Sequence, residues 1–425
     1  MSGSRGAWVR GVVVGVAVAG LLVALVAWLN VRGEAPIAAT SPAVDNSPQT
    51  LARGAYLARA GNCAACHTER GGAPYAGGRG IDTPFGTVFA SNLTPDAETG
   101  IGRWSADHFW RALHHGRSID GRLLYPAFPY PSYTQVTRED ADALYAFLRS
   151  QPAVTQANKP HALRFPYNTQ AALAVWRALF FRAEAFEPRA ERSAQWNRGA
   201  YLVQGLGHCV ACHSTRNAFG ATGDRLDLSG GLIPMQRWYA PSLVGADEAS
   251  VATWDTQRIA DLLRSGTSPH GSVMGPMAEV VFRSTQHLSD EDLQAMAVFL
   301  KDLPPQPAAE REEFKPDAEL LRRGQVIYDD RCVACHGEQG QGAANAYPPL
   351  AGSRKVQMAS AVNLVRVVLH GGFAPTTAAN PRPYGMPPFG QDLNDAEVAA
   401  VVSYLRNAWG NSAPTVSELE VLKLR

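Results

Sequence analysis

The sequence predicts an all-α protein in which three small tandem domains follow a single N-terminal membrane-spanning helix. Three observations support this prediction. A long uncharged run lies near the N-terminus, a five-residue cysteine motif occurs three times, and each copy lies between two helix-forming segments. The chain has 425 residues and a formal net charge of +1. This near-neutral charge lacks the basic excess of nucleic-acid-binding proteins, so no nucleic-acid partner is expected.

The motif Cys-x-x-Cys-His occurs three times and uses all six cysteines of the chain. This spacing is that of a c-type haem attachment site. On one helical turn the two thiols can capture both haem vinyl groups as thioethers, and the adjacent histidine can then bind the iron. The sequence therefore predicts three covalently bound haem c groups. The attachment residues are Cys63, Cys66, Cys209, Cys212, Cys332 and Cys335, and the proximal iron ligands are His67, His213 and His336.

Paired cysteines have two other common functions, and the sequence favours neither. A zinc site would need two pairs to converge, and three pairs leave one unmatched. A redox dithiol does not require a histidine after the second cysteine, yet a histidine follows every pair in this chain. Haem attachment is therefore the favoured interpretation.

Each cysteine motif lies within a repeated frame of two helices. The upstream segments, 53–57, 198–202 and 323–328, are short and helix-forming. Downstream, an amphipathic helix follows an N-cap residue and carries acidic residues in its first turn, where the helix dipole favours them. A leading helix, an attachment motif and a closing helix form the frame of a small class I cytochrome c domain, so the sequence predicts three such domains in tandem. The predicted N-caps are Thr137, Ser289 and Asn394.

Composition predicts where these domains begin and end. Segments rich in proline, serine, threonine or alanine indicate a tether and a linker. A longer insert separates the first two domains, and its helical, aromatic centre at 171–181 is expected to pack one domain on the next. A partner or the membrane surface are the alternatives for that centre. The predicted segments are an anchor at 9–31, a tether at 32–50, domain 1 at 51–152, the insert at 153–194, domain 2 at 195–303, a linker at 304–316, domain 3 at 317–412 and a tail at 413–425.

The N-terminal segment is long enough to span a membrane. Arg5 and Arg10 precede an uncharged run at 11–31, which is the length that one spanning helix needs. Basic residues before the run predict that the remaining chain lies outside the cytoplasm. We expect an uncleaved anchor in the inner (cytoplasmic) membrane with the haem domains in the periplasm. A cleaved secretory signal is the alternative, and it would deliver the chain to the same compartment.

Methionine is the expected sixth iron ligand in the second and third domains, because His/Met ligation raises the haem potential and suits electron transfer. Met386 lies shortly before the third closing helix, and Met277 lies before the second. Met274 is three residues further from that helix, so Met277 is preferred. Met358 and Met296 are interpreted as apolar core residues.

The first domain contains no methionine, and Phe128 occupies the position where a thioether is expected. A phenyl ring cannot bind iron, so this haem is predicted to be five-coordinate, water-ligated or bound by a nearby histidine. His114 and His115 end a helix predicted to begin at Trp104. His370 holds the position equivalent to His115 in the third domain, which argues for a structural role of His115 and leaves His114 as the unusual residue.

With these repeats, the chain resembles the membrane-bound triheme cytochrome c subunit of bacterial dehydrogenase complexes. The most specific segments are 83–96, 99–104, 196–202 and 275–281. The resemblance implies that His67, His213 and His336 are proximal ligands, and that Met277 and Met386 are distal ones. The family usually carries methionine where this chain has Phe128, so the role of the first haem departs from the family pattern.

The resemblance also implies an electron-transfer function. The expected partner is a catalytic dehydrogenase subunit of the quinoprotein, flavoprotein or molybdenum type, acting on an alcohol, aldehyde, sugar acid or heteroaromatic substrate. The expected electron acceptor is ubiquinone or a terminal oxidase. No glycine-rich nucleotide loop or nucleophile–base arrangement is visible, so no substrate chemistry is expected of the chain itself.

Two other functions remain as alternatives. An open first haem could react with peroxide, with His114 supplying acid–base help from the distal side. The chain could also be a cytochrome subunit of a terminal oxidase, although such subunits usually carry fewer haems than the three motifs indicate.

Overall fold

The computed structural model describes residues 3–38, 43–248, 251–269, 271–307, 315–344 and 346–425. Helices dominate these residues, and short strands lie between them. The helices are α1 Gly3–Val31, α2 Pro48–Ala60, α3 Cys63–His67, α4 Ala106–His115, α5 Tyr130–Tyr133, α6 Arg138–Arg149, α7 Gln170–Phe180, α8 Ala194–Gln204, α9 Val210–His213, α10 Thr256–Ser265, α11 Gly275–Arg283, α12 Asp290–Lys301, α13 Ala318–Arg331, α14 Val333–His336, α15 Arg354–Gln357, α16 Val362–His370, α17 Asp395–Leu405 and α18 Glu418–Leu422, with single 3-10 turns at Val251–Thr253 and Thr285–His287.

The strands form small antiparallel sheets that the all-α prediction does not include. Three strands pair in the order β1-β2-β3, and the others form two-stranded hairpins, β4-β5, β6-β7 and β8-β9. They are two to four residues long, too short for the alternating pattern by which a sequence reveals a strand. The strands are β1 Gly80–Thr83, β2 Gly86–Phe89, β3 Ala162–Leu163, β4 Gly231–Ile233, β5 Trp238–Ala240, β6 Thr267–Ser268, β7 Gly271–Ser272, β8 Gly372–Phe373 and β9 Gly385–Met386.

The chain divides into two compact units. One comprises residues 1–54 and 67–186, and the other comprises residues 55–66 and 187–425. The insert predicted at 153–194 contributes β3, which pairs with β2 inside the first unit. Parts of the predicted tether and linker lie outside the described residues.

One helix crossing occurs three times and is closer than side chains normally permit. Gly54, Gly199 and Gly324 each lie in a leading helix and face a carbonyl oxygen of a closing helix. A Cβ on these glycines would lie 2.0 Å, 1.9 Å and 2.2 Å from the carbonyl oxygens of Ala143, Ala295 and Ala400, respectively. Since real Cβ atoms do not come so close to backbone, each crossing requires glycine.

The closing helices begin at the predicted N-caps. The side chains of Thr137, Ser289 and Asn394 accept hydrogen bonds from the backbone N–H groups three residues later. Each first turn carries the predicted acidic residues. The capping pattern therefore identified the start of each helix correctly, because a cap depends on neighbouring residues alone.

The N-terminal helix α1 contains a 25-residue stretch, Ala7–Val31, that is long and apolar enough to cross a membrane. None of the most apolar part of this stretch is buried by the rest of the chain. Its C-terminal end contacts α7. Asn30 donates a 2.9 Å hydrogen bond to the carbonyl of Ala174 in α7, and Arg177 Nε donates a 2.9 Å hydrogen bond to Asn30 Oδ1.

The chain that leaves α1 is held by a shielded ion pair. Arg117 Nε lies 2.9 Å from the Glu34 carboxylate, and Arg111 Nε lies 3.8 Å from it. All three side chains are largely shielded from water, which reduces screening of their charges. The first residues after α1 are therefore fixed to the segment around α4, and the predicted tether does not begin as a free linker.

Candidate haem-binding site

Each cysteine motif forms one short helical turn that ends at its histidine. The turns are α3, α9 and α14, and they end at His67, His213 and His336. A helical turn places residues three and four apart on the same side. The first motif thus lies entirely within one turn, whereas Cys209 and Cys332 are the N-cap residues of their turns.

The three histidines make the same hydrogen bond to a downstream backbone carbonyl. His67 Nδ1 donates to Ser91 O at 2.7 Å, and His213 Nδ1 donates to Pro241 O at 2.7 Å. His336 Nδ1 donates to Pro348 O at 3.2 Å. Because a carbonyl only accepts, each Nδ1 carries the proton and each Nε2 presents its lone pair, as a metal-binding histidine requires.

Burial also keeps these histidines neutral. It lowers the pKa of His67, His213 and His336 below the usual value, and the hydrogen bond to the carbonyl opposes the effect only in part. A neutral imidazole is the form that binds iron. Burial and the hydrogen bonds therefore both leave Nε2 unprotonated and able to bind iron in all three motifs.

The thiols do not suit zinc or redox chemistry. Burial, with a smaller contribution from the second thiol of each motif, raises the pKa of Cys63 to about 12, of Cys209 to about 12 and of Cys332 to about 11. Zinc ligands and redox dithiols act as thiolates, which need a lowered pKa. Within the described ranges, no three or more His, Cys, Asp or Glu side chains converge to hold a metal ion.

Met277 is the third residue of α11, and its surroundings differ from those of Met274. The sulfur of Met274 lies 3.6 Å from the position that a Cβ on Gly372 would take, so this side chain packs beside β8. Met277 is half-buried on the first turn of α11. Met277 stays the predicted distal ligand of the second site.

Met386 lies in β9, opposite Gly372 of β8. It packs against the apolar core of the C-terminal helices, which includes Tyr328 and Val398. Gly371 has a φ of 63°, and a Cβ on it would lie 2.3 Å from the carbonyl oxygen of Met386. Glycine at 371 therefore lets the methionine segment approach the end of α16.

In the first unit, Phe128 lies among aromatic rings. Its ring centroid is 5.4 Å from that of Tyr133 and 6.4 Å from that of Tyr130. His114 stacks on Trp110 at 4.4 Å, and burial lowers its pKa. These contacts give His114 a packing role and give the peroxidase-like alternative no support.

The helix that carries His114 and His115 differs slightly from the sequence prediction. It begins at Ala106, after Ser105, whereas the prediction began it at Trp104. Ser105 accepts a hydrogen bond from the His108 N–H, and the His108 ring reaches back to the N-cap backbone. This capping box fixes the start of the helix.

Sequence reasoning missed a shared turn that precedes each candidate distal-ligand segment. Helices α4, α10 and α16 are each followed by a glycine with positive φ, which any other residue adopts only with strain. A helix-terminal histidine or serine followed directly by glycine was the available signal. The three glycines are Gly116, Gly266 and Gly371.

The donor set fits haem c. Each motif offers two thiols for thioether bonds and a neutral histidine whose Nε2 can bind iron. The residues that would hold the groups are those predicted from the sequence: the six cysteines, the three histidines and, at two of the sites, Met277 and Met386.

Comparison with known proteins defines the class first. The family model described as Cytochrome c matches residues 51–152 and 321–409. The chain is 39% identical over 405 residues to the cytochrome c subunit of the quinone alcohol dehydrogenase of Gluconacetobacter polyoxogenes, covering 91% of this chain and 86% of that protein. It is 40% identical over 394 residues to the gluconate 2-dehydrogenase cytochrome c subunit of Pantoea cypripedii, covering 88% and 89%.

A third relative is longer. A nicotinate dehydrogenase subunit from Pseudomonas putida is 41% identical over 423 residues, which are 97% of this chain but 35% of that protein. Together with the haem-binding geometry, these similarities show that the chain belongs to the family of cytochrome c subunits of dehydrogenase complexes.

Proposed function

We propose that the chain binds three haem c groups and relays electrons from a catalytic dehydrogenase to ubiquinone or a terminal oxidase. The observation that carries the proposal is the threefold recurrence of one proximal-histidine arrangement, with Nδ1 bound to a backbone carbonyl. Bound haem c supplies reversible one-electron chemistry. The protein orients the axial ligands and shields them from water.

Each of three tandem cytochrome domains holds one group in this proposal. The three Gly–Ala helix crossings support that division, because each brings one leading helix against one closing helix. Met277 and Met386 serve as sixth ligands and raise the potentials of the second and third sites. Phe128 leaves the first site without a thioether.

The first and second attachment motifs are close enough for their thiols to interact. Besides burial, which is the largest effect, Cys66 raises the pKa of Cys212 electrostatically. The segment before the first motif also packs on the second frame: a Cβ on Gly61 would lie 3.2 Å from Leu206 Cδ2, and Ser284 Oγ donates to Ala60 O at 3.2 Å. This proximity favours direct electron exchange between the first and second sites.

The partner and the location follow from family membership and from α1. Relatives are named as subunits of alcohol, gluconate and nicotinate dehydrogenases, which supports an alcohol, aldehyde, sugar acid or heteroaromatic substrate for the complex. Helix α1 anchors the chain in the inner membrane, and the domains lie in the periplasm, where haem c is attached.

The haem content tests the proposal directly. Intact mass and a pyridine haemochrome assay on the purified full chain should give three covalent haems, and Cys209→Ala with Cys212→Ala should give two. The corresponding double variant at Cys332 and Cys335 is the matched control and should also lose one. Two haems in the unaltered chain, or no loss in either variant, would contradict the proposal.

The relay itself is tested with the partner. Purification from detergent-solubilised membranes should recover a larger dehydrogenase subunit with the cytochrome. The complex should reduce a quinone analogue on addition of substrate, whereas the isolated cytochrome should not. Substrate oxidation by the isolated chain would overturn the assignment.

A further inference from the structure

Helix α7 has the polarity of a helix in contact with lipid. Its only charged side chain, Arg177, is 3% exposed. Two of its apolar side chains are exposed, Val175 at 47% and Leu179 at 66%. A helix on a water-facing surface shows the opposite pattern, with charged residues outward and apolar residues inward.

The inward charge of Arg177 is stabilised by aromatic rings and by hydrogen bonds. The Arg177 guanidinium lies 5.1 Å from the Tyr130 ring centroid and 4.7 Å from that of Phe181. It also donates to Asn30 Oδ1 at 2.9 Å and to Gly116 O at 3.4 Å. Arg177 and Leu173 therefore face the protein, whereas Val175 and Leu179 face outward.

Helix α7 lies beside the end of the candidate membrane helix. Asn30, one residue before the end of α1, donates to the carbonyl of Ala174 in α7. Just before α7, Phe165 is 81% exposed and Tyr167 is also exposed. Aromatic residues of this kind are enriched where a protein crosses from lipid to water.

Cations flank the same region. Arg32 follows α1 and Arg182 follows α7, and both are exposed and line one small cavity together with Arg177. Arginine side chains at such positions extend towards lipid phosphates while their stems cover apolar surface. Apolar surface, aromatic rings and flanking cations thus occur together at the exit of α1.

We propose that α7 lies in the membrane–water interface beside the exit of α1, with Val175 and Leu179 among the acyl chains of the lipids. This inference rests on the proposed anchoring by α1. An interfacial helix buries its apolar face about 5–10 Å below the headgroups. The first compact unit is then attached to the membrane at two elements, which fixes its orientation.

Site-specific photo-crosslinking tests this placement in the full-length chain in native membranes. Val175→p-benzoylphenylalanine and Leu179→p-benzoylphenylalanine are irradiated, and the products are identified by mass spectrometry. Val18→p-benzoylphenylalanine in α1 is the lipid-facing control. Val326→p-benzoylphenylalanine in α13, a position 59% exposed, is the control for an exposed apolar residue of the other compact unit.

The proposal expects phospholipid adducts at positions 175 and 179 in yields within a few-fold of position 18, and none above background at position 326. Adducts to the dehydrogenase subunit or to a second copy of the chain at 175 and 179 would overturn it. Lipid adducts at 18 but not at 175 and 179 would also overturn it while leaving the anchor in place. Absence of lipid adducts at 18 would remove the anchor and this inference with it. Equal haem content confirms that every variant is folded.

Discussion

The Tyr56 hydroxyl donates a 2.6 Å hydrogen bond to Asp292 Oδ2, joining the helix before the first attachment motif to closing helix α12. Asp292 also accepts two hydrogen bonds from Arg198, at 2.8 Å and 2.7 Å. Burial alone would favour the neutral acid, but the hydrogen bonds from Arg198 and Tyr56 outweigh it and lower the pKa of Asp292. One carboxylate thus connects three helices.

Asp292→Asn should destabilise the protein by about 2 kcal/mol, because it removes charge-assisted hydrogen bonds and leaves Arg198 without its partner. Denaturant unfolding followed by circular dichroism measures the loss. Asp290→Asn is the control, since Asp290 pairs with Arg264 but is 72% exposed; it should cost less than about 0.5 kcal/mol. Equal losses of stability in both variants would show that the hydrogen bonds of Asp292 stabilise the protein no more than an exposed ion pair does.

The same carboxylate predicts a pH dependence. The folded pKa of Asp292 lies below its ordinary value of 3.8, so its contribution to stability is complete above that value. The contribution is lost as the pH falls through the lower, folded pKa. The stability difference between the unaltered protein and Asp292→Asn should be constant from about pH 5 to pH 7 and shrink below about pH 4. A difference that shrinks with rising pH would refute this sign.

Gly199→Ala should prevent the close crossing of α8 and α12. The new methyl carbon would lie 1.9 Å from the carbonyl oxygen of Ala295, and the backbone cannot yield locally. A loss of about 3 kcal/mol is expected, at the upper end for overpacked cores. Unfolding and haem content together measure it. The control is Gln195→Ala, on the exposed side of the same helix, which should leave the stability and the haem content unchanged. If Gly199→Ala also left both unchanged, the close crossing of α8 and α12 would be wrong.

Phe128→Met should convert the first haem towards His/Met ligation. The potential of that haem should rise by on the order of 0.1 V, a fraction of the ~0.8 V that axial ligands span. A redox titration with low-temperature EPR measures the change. Met386→Phe is the matched reverse variant and should lower the potential of the third haem. Three indistinguishable His/Met haems in the unaltered protein would show that the ligand assignment at Phe128 is wrong.

The features that were predicted correctly from the sequence depend on residues that are close to one another in the chain. The attachment turns and the caps at Thr137, Ser289 and Asn394 follow from spacings of three or four residues. The carbonyl that holds His213 belongs to Pro241, and nothing near the motif indicates this partner. The bond between Tyr56 and Asp292 likewise depends on how distant helices pack. Which side of α7 faces the protein also could not be read from the sequence, because Arg177 is buried and Leu179 is exposed, the reverse of what their polarity predicts.

The close crossings at Gly54, Gly199 and Gly324 have a consequence for biogenesis. Each glycine meets a carbonyl that lies downstream of the attachment cysteines, and chains are synthesised from the N-terminus. Each cysteine pair and its histidine are therefore synthesised before the closing helix that buries them. Until that helix packs, a haem can still reach the two thiols. In the proposed function, each haem would therefore have to be attached before the closing helix of its repeat packs. That interval would be shortest in the third repeat, whose closing helix α17 follows its motif after the fewest residues.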